Sequence, residues 1–240
     1  MARQSRPTVL LTRPLAQGAR FAAAVAQRFP DLPIVSAPLL APVFLSPPLP
    51  PVEFAGLILT SETGTQGARR FLADGVALPK RAWCVGDQTA AAATAAGFDA
   101  ESARGDAAAL VALIKVQKAR PPLLHLRGRD SRGDIADTLN SAGIETHSAI
   151  VYAQEPCDLT PQAQAILAGD APVIVPLFSP RTAALFAAVP DLNAPLWVVA
   201  LSPTVAQALA NLPVARLVTA TKPDAAAMIT AMATFFPTNA

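Results

Sequence analysis

The sequence is poor in the residues that most often carry enzymatic chemistry. It contains two histidines, two cysteines and a single tyrosine among 240 residues. Cys84 and Cys157 lie far apart, with neither a C-x-x-C spacing nor a neighbouring histidine. A zinc site or a disulfide framework is therefore not expected, and both cysteines are interpreted as packed or surface thiols.

Two further absences narrow the class of protein. No apolar run approaches the length of a membrane span, and the apolar stretch that follows Arg6 ends at Arg13, which is too short for a signal-peptide core. The net charge is only +2, and lysine and arginine form no run. Nucleic acid is therefore not an expected partner. We expect a soluble cytoplasmic protein with no membrane partner.

The phosphate loops of nucleotide-binding enzymes are also missing. The stretch GLILTSETGTQG at 56–67 has an apolar run, a loop and the start of a helical pattern, which is how a helix N-terminus is presented to an anion. It has neither the lysine of a P-loop nor the spacing G-x-G-x-x-G. A phosphate- or nucleotide-binding α/β enzyme is therefore a poor match to this sequence.

What the sequence does have is a regular alternation of short apolar runs with helical patterns. Continuous apolar runs of this length are typical of parallel strands whose sheet is covered by helices on both faces. The sequence therefore predicts an α/β fold. The predicted strands are 8–12, 56–60, 82–86, 122–128, 147–153, 173–178, 196–201 and 215–220.

The two halves of the chain echo each other. GLILTSETG is followed by AWCVGDQTAAA, and VIVPLFSPRTA is followed by LWVVALSPTVAQAL at a nearly constant offset. Such a pair predicts two similar lobes, each a parallel sheet flanked by helices, because repeat arrays have much shorter periods. The proline-rich segment 37–54 cannot form a helix or a central strand and predicts a connector between lobes. A second crossing is expected near 147–157.

Hydrogen-bond donors follow the predicted strands. In α/β sheets, ligands bind outside the carboxyl ends of the strands. The residues there are mostly hydroxyls, helix N-terminal amides and a few cations, which suit carboxylates or phosphates spread over an extended ligand and do not suit a metal. They are Thr12-Arg13, Thr60-Ser61, Gly86 to Thr89, Arg127 to Arg129, Ser179, Ser202 to Thr204 and Thr221-Lys222.

Each of these side chains also has a structural interpretation. Hydroxyls stand just ahead of prolines at 12–14, 179–180, 202–203 and 221–223, where an N-cap residue and a first helical proline are expected. His125 lies within an apolar strand and is interpreted as a core histidine. Arg127 is equally compatible with an anion clamp and a solvated loop. Tyr152 is interpreted, from its surroundings alone, as a packing ring with a wet hydroxyl.

The order of several motifs resembles the uroporphyrinogen-III synthase family over nearly the whole chain. Each motif is short, and the specificity lies in their order and spacing. The motifs are VLLTRP (9–14), LTSETG (59–64), CVGDQTAAA (84–92), HLRGRDSRGDIADTLNSAG (125–143), AIVYAQEP (149–156), LFSPRTAALF (177–186) and ALSPTVAQAL (200–209).

The resemblance implies a discontinuous first lobe. It would consist of 1–36 and 155–240, with 40–150 as the second lobe and a two-stranded connector between them. The implied reaction is the cyclisation of hydroxymethylbilane, a linear tetrapyrrole with eight carboxylates, with inversion of its last ring and loss of water. The implied enzyme is a carbon–oxygen lyase (hydro-lyase) of haem biosynthesis that uses no metal or organic cofactor. A monomer that contacts the preceding enzyme of the pathway transiently is expected.

The resemblance also assigns roles to individual residues. Tyr152 is the implied proton donor to the departing hydroxyl. The implied contacts to substrate carboxylates, or to the substrate in general, are Arg13, Ser61, Thr89, Arg127, Ser179 and Thr204. The alternative is a non-catalytic, two-lobed homologue that binds a polycarboxylate or tetrapyrrole ligand.

Overall fold

The computed structural model describes residues 6–130 and 134–236. The two ends of the first predicted lobe, 1–5 and 237–240, lie outside these residues, as do 131–133 within the motif at 125–143. The elements in chain order are β1 Thr8–Leu11, α1 Leu15–Arg28, β2 Ile34–Ser36, β3 Leu40–Phe44, β4 Gly56–Leu59, α2 Glu62–Ala73, β5 Arg81–Cys84, α3 Asp87–Ala95, β6 Asp99–Ser102, α4 Ala107–Val116, β7 Leu123–Gly128, α5 Ile135–Ser141, β8 Thr146–Pro156, α6 Pro161–Leu167, β9 Val173–Leu177, α7 Pro180–Ala187, β10 Leu196–Ala200, α8 Pro203–Gln207, β11 Arg216–Thr219 and α9 Ala225–Ala233.

The chain forms two compact units. Unit 1 runs to Ala41 and resumes at Pro156, and unit 2 is Pro42–Glu155. Each unit contains one sheet, and helices pack on both faces of that sheet. The predicted fold class is confirmed. None of the helices described is both long and apolar enough to cross a membrane.

Unit 1 has a five-stranded sheet in the order β11-β10-β9-β1-β2, and each of its strand pairs is parallel. The strand side chains alternate between two apolar layers, as the period of two requires. Leu10 packs with α6, α7 and α8, whereas Val9 and Leu11 pack with α1 and α9. All three side chains are fully buried. This double burial explains why β1 reads as a continuous apolar run rather than an alternating one.

Unit 2 has a six-stranded sheet in the order β3-β8-β7-β4-β5-β6. From β8 to β6 the neighbouring strands are parallel. Leu57 and Leu59 pack with α2 and α3, and Ile58 packs on the opposite face with α4 and α5. The carboxyl ends of these five parallel strands, β4 to β8, therefore share one edge of the sheet.

The two crossings of the chain form an antiparallel pair of strands. β3 lies beside β8. The amide of Leu45 donates to the carbonyl of Val151 at 2.9 Å, and the amide of Cys157 donates to the carbonyl of Leu39 at 3.1 Å. The residue numbers of these partners run in opposite directions, which is the signature of an antiparallel pair. This pair is the two-stranded connector that the sequence predicts.

All eight predicted strands are present, and three strands were not predicted. β2 and β6 are short edge strands, and β6 has the polar sequence DAES, so neither shows a buried apolar run. β3 contains Pro42, which argued against a strand, but at the edge of a sheet a proline is tolerated because its missing N–H is not needed by a neighbour.

The predicted hydroxyl caps ahead of prolines are correct at only one of the four junctions. Ser179 accepts a hydrogen bond from the amide of Thr182 and caps α7. Ser202 occupies the N-cap position of α8 without a side-chain cap. The N-cap position of α1 is occupied by Pro14, and α9 is capped by Asp224. The capping interpretation of Thr12, Ser202 and Thr221 is therefore wrong.

Gly67 tests the close packing of α2 on β8. A Cβ atom at this position would lie 2.6 Å from Cγ2 of Val151, a distance at which the backbone or the valine must move. We expect Gly67→Ala to lower the free energy of unfolding by about 1–3 kcal/mol, despite the better helix propensity of alanine. The measurement is the midpoint of urea unfolding, which reports stability when the dependence of the unfolding free energy on urea concentration is the same in both proteins.

Gly18 in α1 provides the matched control. There the nearest atom to an added Cβ is the carbonyl oxygen of Arg13 at 3.4 Å, which is an ordinary contact. Gly18→Ala should raise the free energy of unfolding by about 0.5–1 kcal/mol. Equal effects of the two substitutions would contradict the packing described for α2.

Candidate active site

Each sheet has one place where neighbouring strands send their connections in opposite directions. In unit 1 the chain leaves β1 towards β2 and leaves β9 towards β10, so this place lies between β1 and β9. In unit 2 it lies between β4, which leads to β5, and β7, which leads to β8. Ligands of open α/β sheets bind in the crevice outside the carboxyl ends of the strands at such a switch point.

At the switch point of unit 2, a tyrosine hydroxyl meets a serine hydroxyl. Oη of Tyr152 lies 3.0 Å from Oγ of Ser61. Ser61 is also the N-cap of α2, and its Oγ accepts a hydrogen bond of 2.9 Å from the amide of Gly64. Both side chains are half-buried. Residues that lie 91 positions apart in the sequence therefore share one hydrogen-bonded site.

An irregularity in β8 directs Tyr152 towards this site. The pairing of β7 with β8 shifts between Arg127, which faces Ile150, and Gly128, which faces Tyr152. The extra residue is Val151. As a result Val151 and Tyr152, although consecutive, both pack against the core on the α2 face of the sheet. A β-bulge is the usual device by which a strand re-aims a side chain near a functional site.

Two glycines make room for this arrangement. A Cβ atom on Gly128 would lie 2.6 Å from Cζ of Tyr152 and 2.8 Å from its hydroxyl, so only glycine lets the ring cross β7. A Cβ atom on Gly64 would lie 3.0 Å from the carbonyl oxygen of Leu126, so the first turn of α2 also approaches β7 closely. These close approaches bring the phenol and the N-terminus of α2 together.

At the switch point of unit 1, the aromatic residue that follows β9 carries an arginine on its face. The guanidinium carbon of Arg13 lies 3.9 Å from the centroid of the Phe178 ring, which is a cation–π contact. Burial, with a smaller contribution from the charge of Arg20, lowers the pKa of Arg13 from its usual value. Ser179 follows Phe178 directly, so Arg13 and Ser179 are presented at the same edge of the sheet.

Ser179 resembles Ser61 in position but not in partner. Its Oγ accepts from the amide of Thr182 at 3.1 Å and donates to Oγ1 of Thr182 at 2.9 Å. The two halves of the chain therefore have similar motifs at these positions but different side-chain contacts. In unit 1 the serine is satisfied within its own helical turn, whereas in unit 2 the serine reaches a tyrosine from another strand.

A comparison with one solved structure supports this architecture. The uroporphyrinogen-III synthetase of Helicobacter pylori 26695 is 17% identical, with a TM-score of 0.62, over 96% of this chain and 100% of its own. At that identity the likeness shows the fold. A mutant uroporphyrinogen III synthase of the extremely thermophilic bacterium Thermus thermophilus is also 17% identical, over 94% of this chain and 97% of its own, with a TM-score of 0.46. None of the curated protein sequences compared matches this chain.

A family model decides the identity. The model described as uroporphyrinogen-III synthase HemD matches residues 32–230, which is well over half of the chain. The chain belongs to the uroporphyrinogen-III synthase family. The family resemblance that the sequence motifs predict is therefore confirmed.

The remaining residues that the resemblance to uroporphyrinogen-III synthases singled out are distributed over both units. In unit 2, Thr89 is buried in the first turn of α3, and Arg127 is half-buried near the end of β7, where Nη1 donates to the carbonyl of Gly128 at 3.4 Å. In unit 1, Thr204 is exposed in the first turn of α8. Among the residues that the resemblance singled out, Tyr152 and Ser61 are in direct contact. The remaining ones lie at or after the ends of different strands, namely Arg13, Thr89, Arg127, Ser179 and Thr204.

Two features of this synthase-family chain were missed by the sequence reasoning. Gly128 was noted only as part of a basic strand end, yet its missing side chain is what admits Tyr152. Thr12 was interpreted as a cap, yet its side chain is 1% exposed and its Oγ1 has no hydrogen-bond partner among the described residues. No local sequence pattern predicts either feature, because the role of Gly128 and the burial of Thr12 depend on residues that are distant in the sequence.

His125 is a core residue of β7. It is 2% exposed, and its Nε2 lies 3.4 Å from Oγ1 of Thr60. Burial, followed by the nearby charge of Arg127, lowers the pKa of His125 to about 4. The ring is therefore neutral near pH 7 and does not act as a cationic contact for an anion. Across the described parts of the chain, no group of histidine, cysteine and acidic side chains could hold a metal ion.

The lowered pKa of His125 makes stability dependent on pH. Unfolding returns the ring to its ordinary pKa near 6.5, so the unfolded chain binds more protons between about pH 6.5 and 4. Stability is fully present above pH 6.5 and falls as the pH is lowered through this window. With about 1.4 kcal/mol for each pH unit, the loss by pH 4 is about 3 kcal/mol.

Urea unfolding of the wild type and of His125→Leu at several pH values measures this effect. The difference in free energy of unfolding between the two proteins should change by about 3 kcal/mol from pH 7 to pH 4. The matched control is His147→Gln, which removes the other histidine, at the position where Nε2 contacts Glu145. A His125→Leu protein with the same pH dependence as the wild type would contradict this account.

Proposed function

We propose that this chain is a uroporphyrinogen-III synthase, a carbon–oxygen lyase that cyclises hydroxymethylbilane with inversion of the last pyrrole ring and loss of water. The observation that carries the proposal is the Tyr152 hydroxyl, held 3.0 Å from Ser61 at the switch point of unit 2 in a chain of this family. Neither the family match nor the structure favours the non-catalytic alternative.

Tyr152 serves in this proposal as the proton donor. The phenol gives its proton to the hydroxyl of the terminal pyrrolic carbinol, the C–O bond breaks, and the hydroxyl leaves as water. The electron-rich pyrrole stabilises the positive charge that develops at the carbon, so that a single acid of modest strength suffices. This requirement agrees with a chain that has few histidines and in which His125 is buried and neutral.

The larger task is to fold a flexible substrate so that the inverted closure outruns spontaneous closure. That task is mainly one of positioning, which binding groups distributed along the substrate can achieve. The contacts to its carboxylates that the family resemblance implies are Ser61, Thr89 and Arg127 in unit 2 and Arg13, Ser179 and Thr204 in unit 1. Arg13 and Ser179 flank the switch point of their sheet, which supports this role.

The instability of the substrate favours a contact with a partner enzyme. A linear tetrapyrrole that closes spontaneously is best passed on quickly, so we include in the proposal a transient contact with the enzyme that supplies it. The proposed enzyme is a cytoplasmic monomer in haem biosynthesis.

Tyr152→Phe tests the proposed acid. The ring should still pack over Gly128, because only the hydroxyl is removed, so the fold is retained. The rate of uroporphyrinogen III formation should fall about 100-fold, which is in the range of a lost general acid. The measurement is the initial rate of type III product from freshly prepared hydroxymethylbilane.

Thermal unfolding of the same Tyr152→Phe sample provides the control for folding. A melting temperature within a few degrees of the wild type shows that a lower rate of product formation is due to the missing hydroxyl and not to unfolding. A well-folded variant that forms the type III isomer at the wild-type rate would show that Tyr152 is not the proton donor.

A further inference from the structure

We propose that Ser61 acts on Tyr152 rather than on a substrate carboxylate. It is a positioning residue that holds the phenol in place and donates a hydrogen bond to the phenol oxygen once that oxygen has lost its proton. This proposal rests on the function proposed above and changes the role given there to Ser61. The observation behind it is that a single serine oxygen, Oγ of Ser61, contacts both Tyr152 Oη and the first turn of α2.

Hydrogen-bond geometry limits what the Ser61 hydroxyl can do. A serine hydroxyl has one hydrogen to donate and two lone pairs that accept. One lone pair is occupied by the amide of Gly64 at 2.9 Å, which fixes the position of the oxygen. The hydrogen and the second lone pair remain, and Oη of Tyr152 lies within reach of either at 3.0 Å.

This geometry allows the hydrogen bond to reverse during the reaction. Before the reaction, the phenol is neutral and either oxygen can donate to the other. When the phenol proton passes to the departing hydroxyl and water leaves, Oη becomes an anion that can only accept. The hydrogen of Ser61 then turns towards Oη, and no heavy atom needs to move. Hydrogen bonds to a charged oxygen are about twice as strong as those between neutral groups.

The start of α2 favours the same step. The unsatisfied amides of a helix N-terminus carry a partial positive charge, which stabilises a nearby anion. α2 has 12 residues, and its N-cap Ser61 is the residue in contact with the phenol. The phenol oxygen is thus linked through one hydroxyl to the N-terminus of α2, where the carboxylate of Glu62 in the first turn offsets part of the helix dipole.

The two possible roles of Ser61 exclude each other. A serine that donated its only hydrogen to a substrate carboxylate could not donate it to the phenol oxygen. The two roles also predict different kinetics, because a carboxylate contact supports binding whereas a contact to Tyr152 supports the chemical step.

The test is a double-mutant cycle of Ser61→Ala, Tyr152→Phe and the double variant, with Ser61→Thr as the conservative replacement. Ser61→Ala should lower kcat about tenfold and leave KM unchanged within about twofold. In the Tyr152→Phe background, Ser61→Ala should have almost no further effect. Ser61→Thr, which keeps the hydroxyl, should recover most of the activity.

Asp106→Ala is the matched control for loss of a helix cap. Asp106 caps α4 in the same unit by accepting from the amide of Ala109 at 3.0 Å, and it lies outside the proposed site. Each of the two alanine variants should lower the melting temperature by about 2–4 °C. Only Ser61→Ala should reduce kcat.

A spectroscopic measurement tests the contact independently of activity. Tyr152 is the only tyrosine in the chain, so labelling tyrosine with ¹³C at Cζ gives a single signal from the carbon bonded to the hydroxyl. Its chemical shift should change in Ser61→Ala and stay constant in Asp106→Ala. An unchanged signal in Ser61→Ala would contradict the proposed contact, whether or not the protein is active.

The kinetic outcomes distinguish this proposal from the proposed function. If the wild type gives no excess of the type III isomer, the proposed function fails, and the ¹³C signal still decides whether Ser61 acts on Tyr152. If the wild type is active, a raised KM with unchanged kcat in Ser61→Ala would show that Ser61 binds substrate. Fully multiplicative losses in the double variant would likewise overturn its role as a partner of Tyr152.

Discussion

The hydrogen bond between Tyr152 and Ser61 is the interaction on which the site in unit 2 depends. It joins β8, from which the tyrosine comes, to the start of α2, and it passes over β7 at Gly128. The bulge in β8 and the glycine in β7 together place the phenol where it can form this bond. A change of one methyl group at Gly128 would bring a carbon to 2.6 Å from Cζ of the phenol ring.

In the proposed function, the same bond accounts for how a chain with so few histidines and cysteines could carry out its reaction. The substrate of the proposed reaction supplies much of its own driving force, so the protein has to provide one proton and a well-defined geometry. In the proposed mechanism, the phenol of Tyr152, held by the N-cap serine of α2, provides both. The proposed mechanism assigns no role to the buried, neutral His125 or to the two thiols. Burial raises the pKa of both thiols, to about 12 at Cys84.

The sequence predicted the sheets well because the burial of a parallel strand on both faces leaves a readable apolar run, as at Val9 to Leu11 and Leu57 to Leu59. It did not predict the edge strands β2, β3 and β6, which bury little. The motifs identified Ser61 and Tyr152 separately. Their contact was not predictable, because it arises from a register shift between two strands. Propensity rules for caps failed at Thr12 and Thr221 because a proline two residues on did not fix where the helix starts.

The central claim is that this fold directs the closure of a linear tetrapyrrole. The most direct test is the isomer composition of the uroporphyrinogen formed from freshly prepared hydroxymethylbilane, measured with and without the wild-type protein. The account predicts that the protein shifts the product to the type III isomer, whereas the reaction without protein gives the type I isomer. The same proportion of the two isomers in both samples would contradict it.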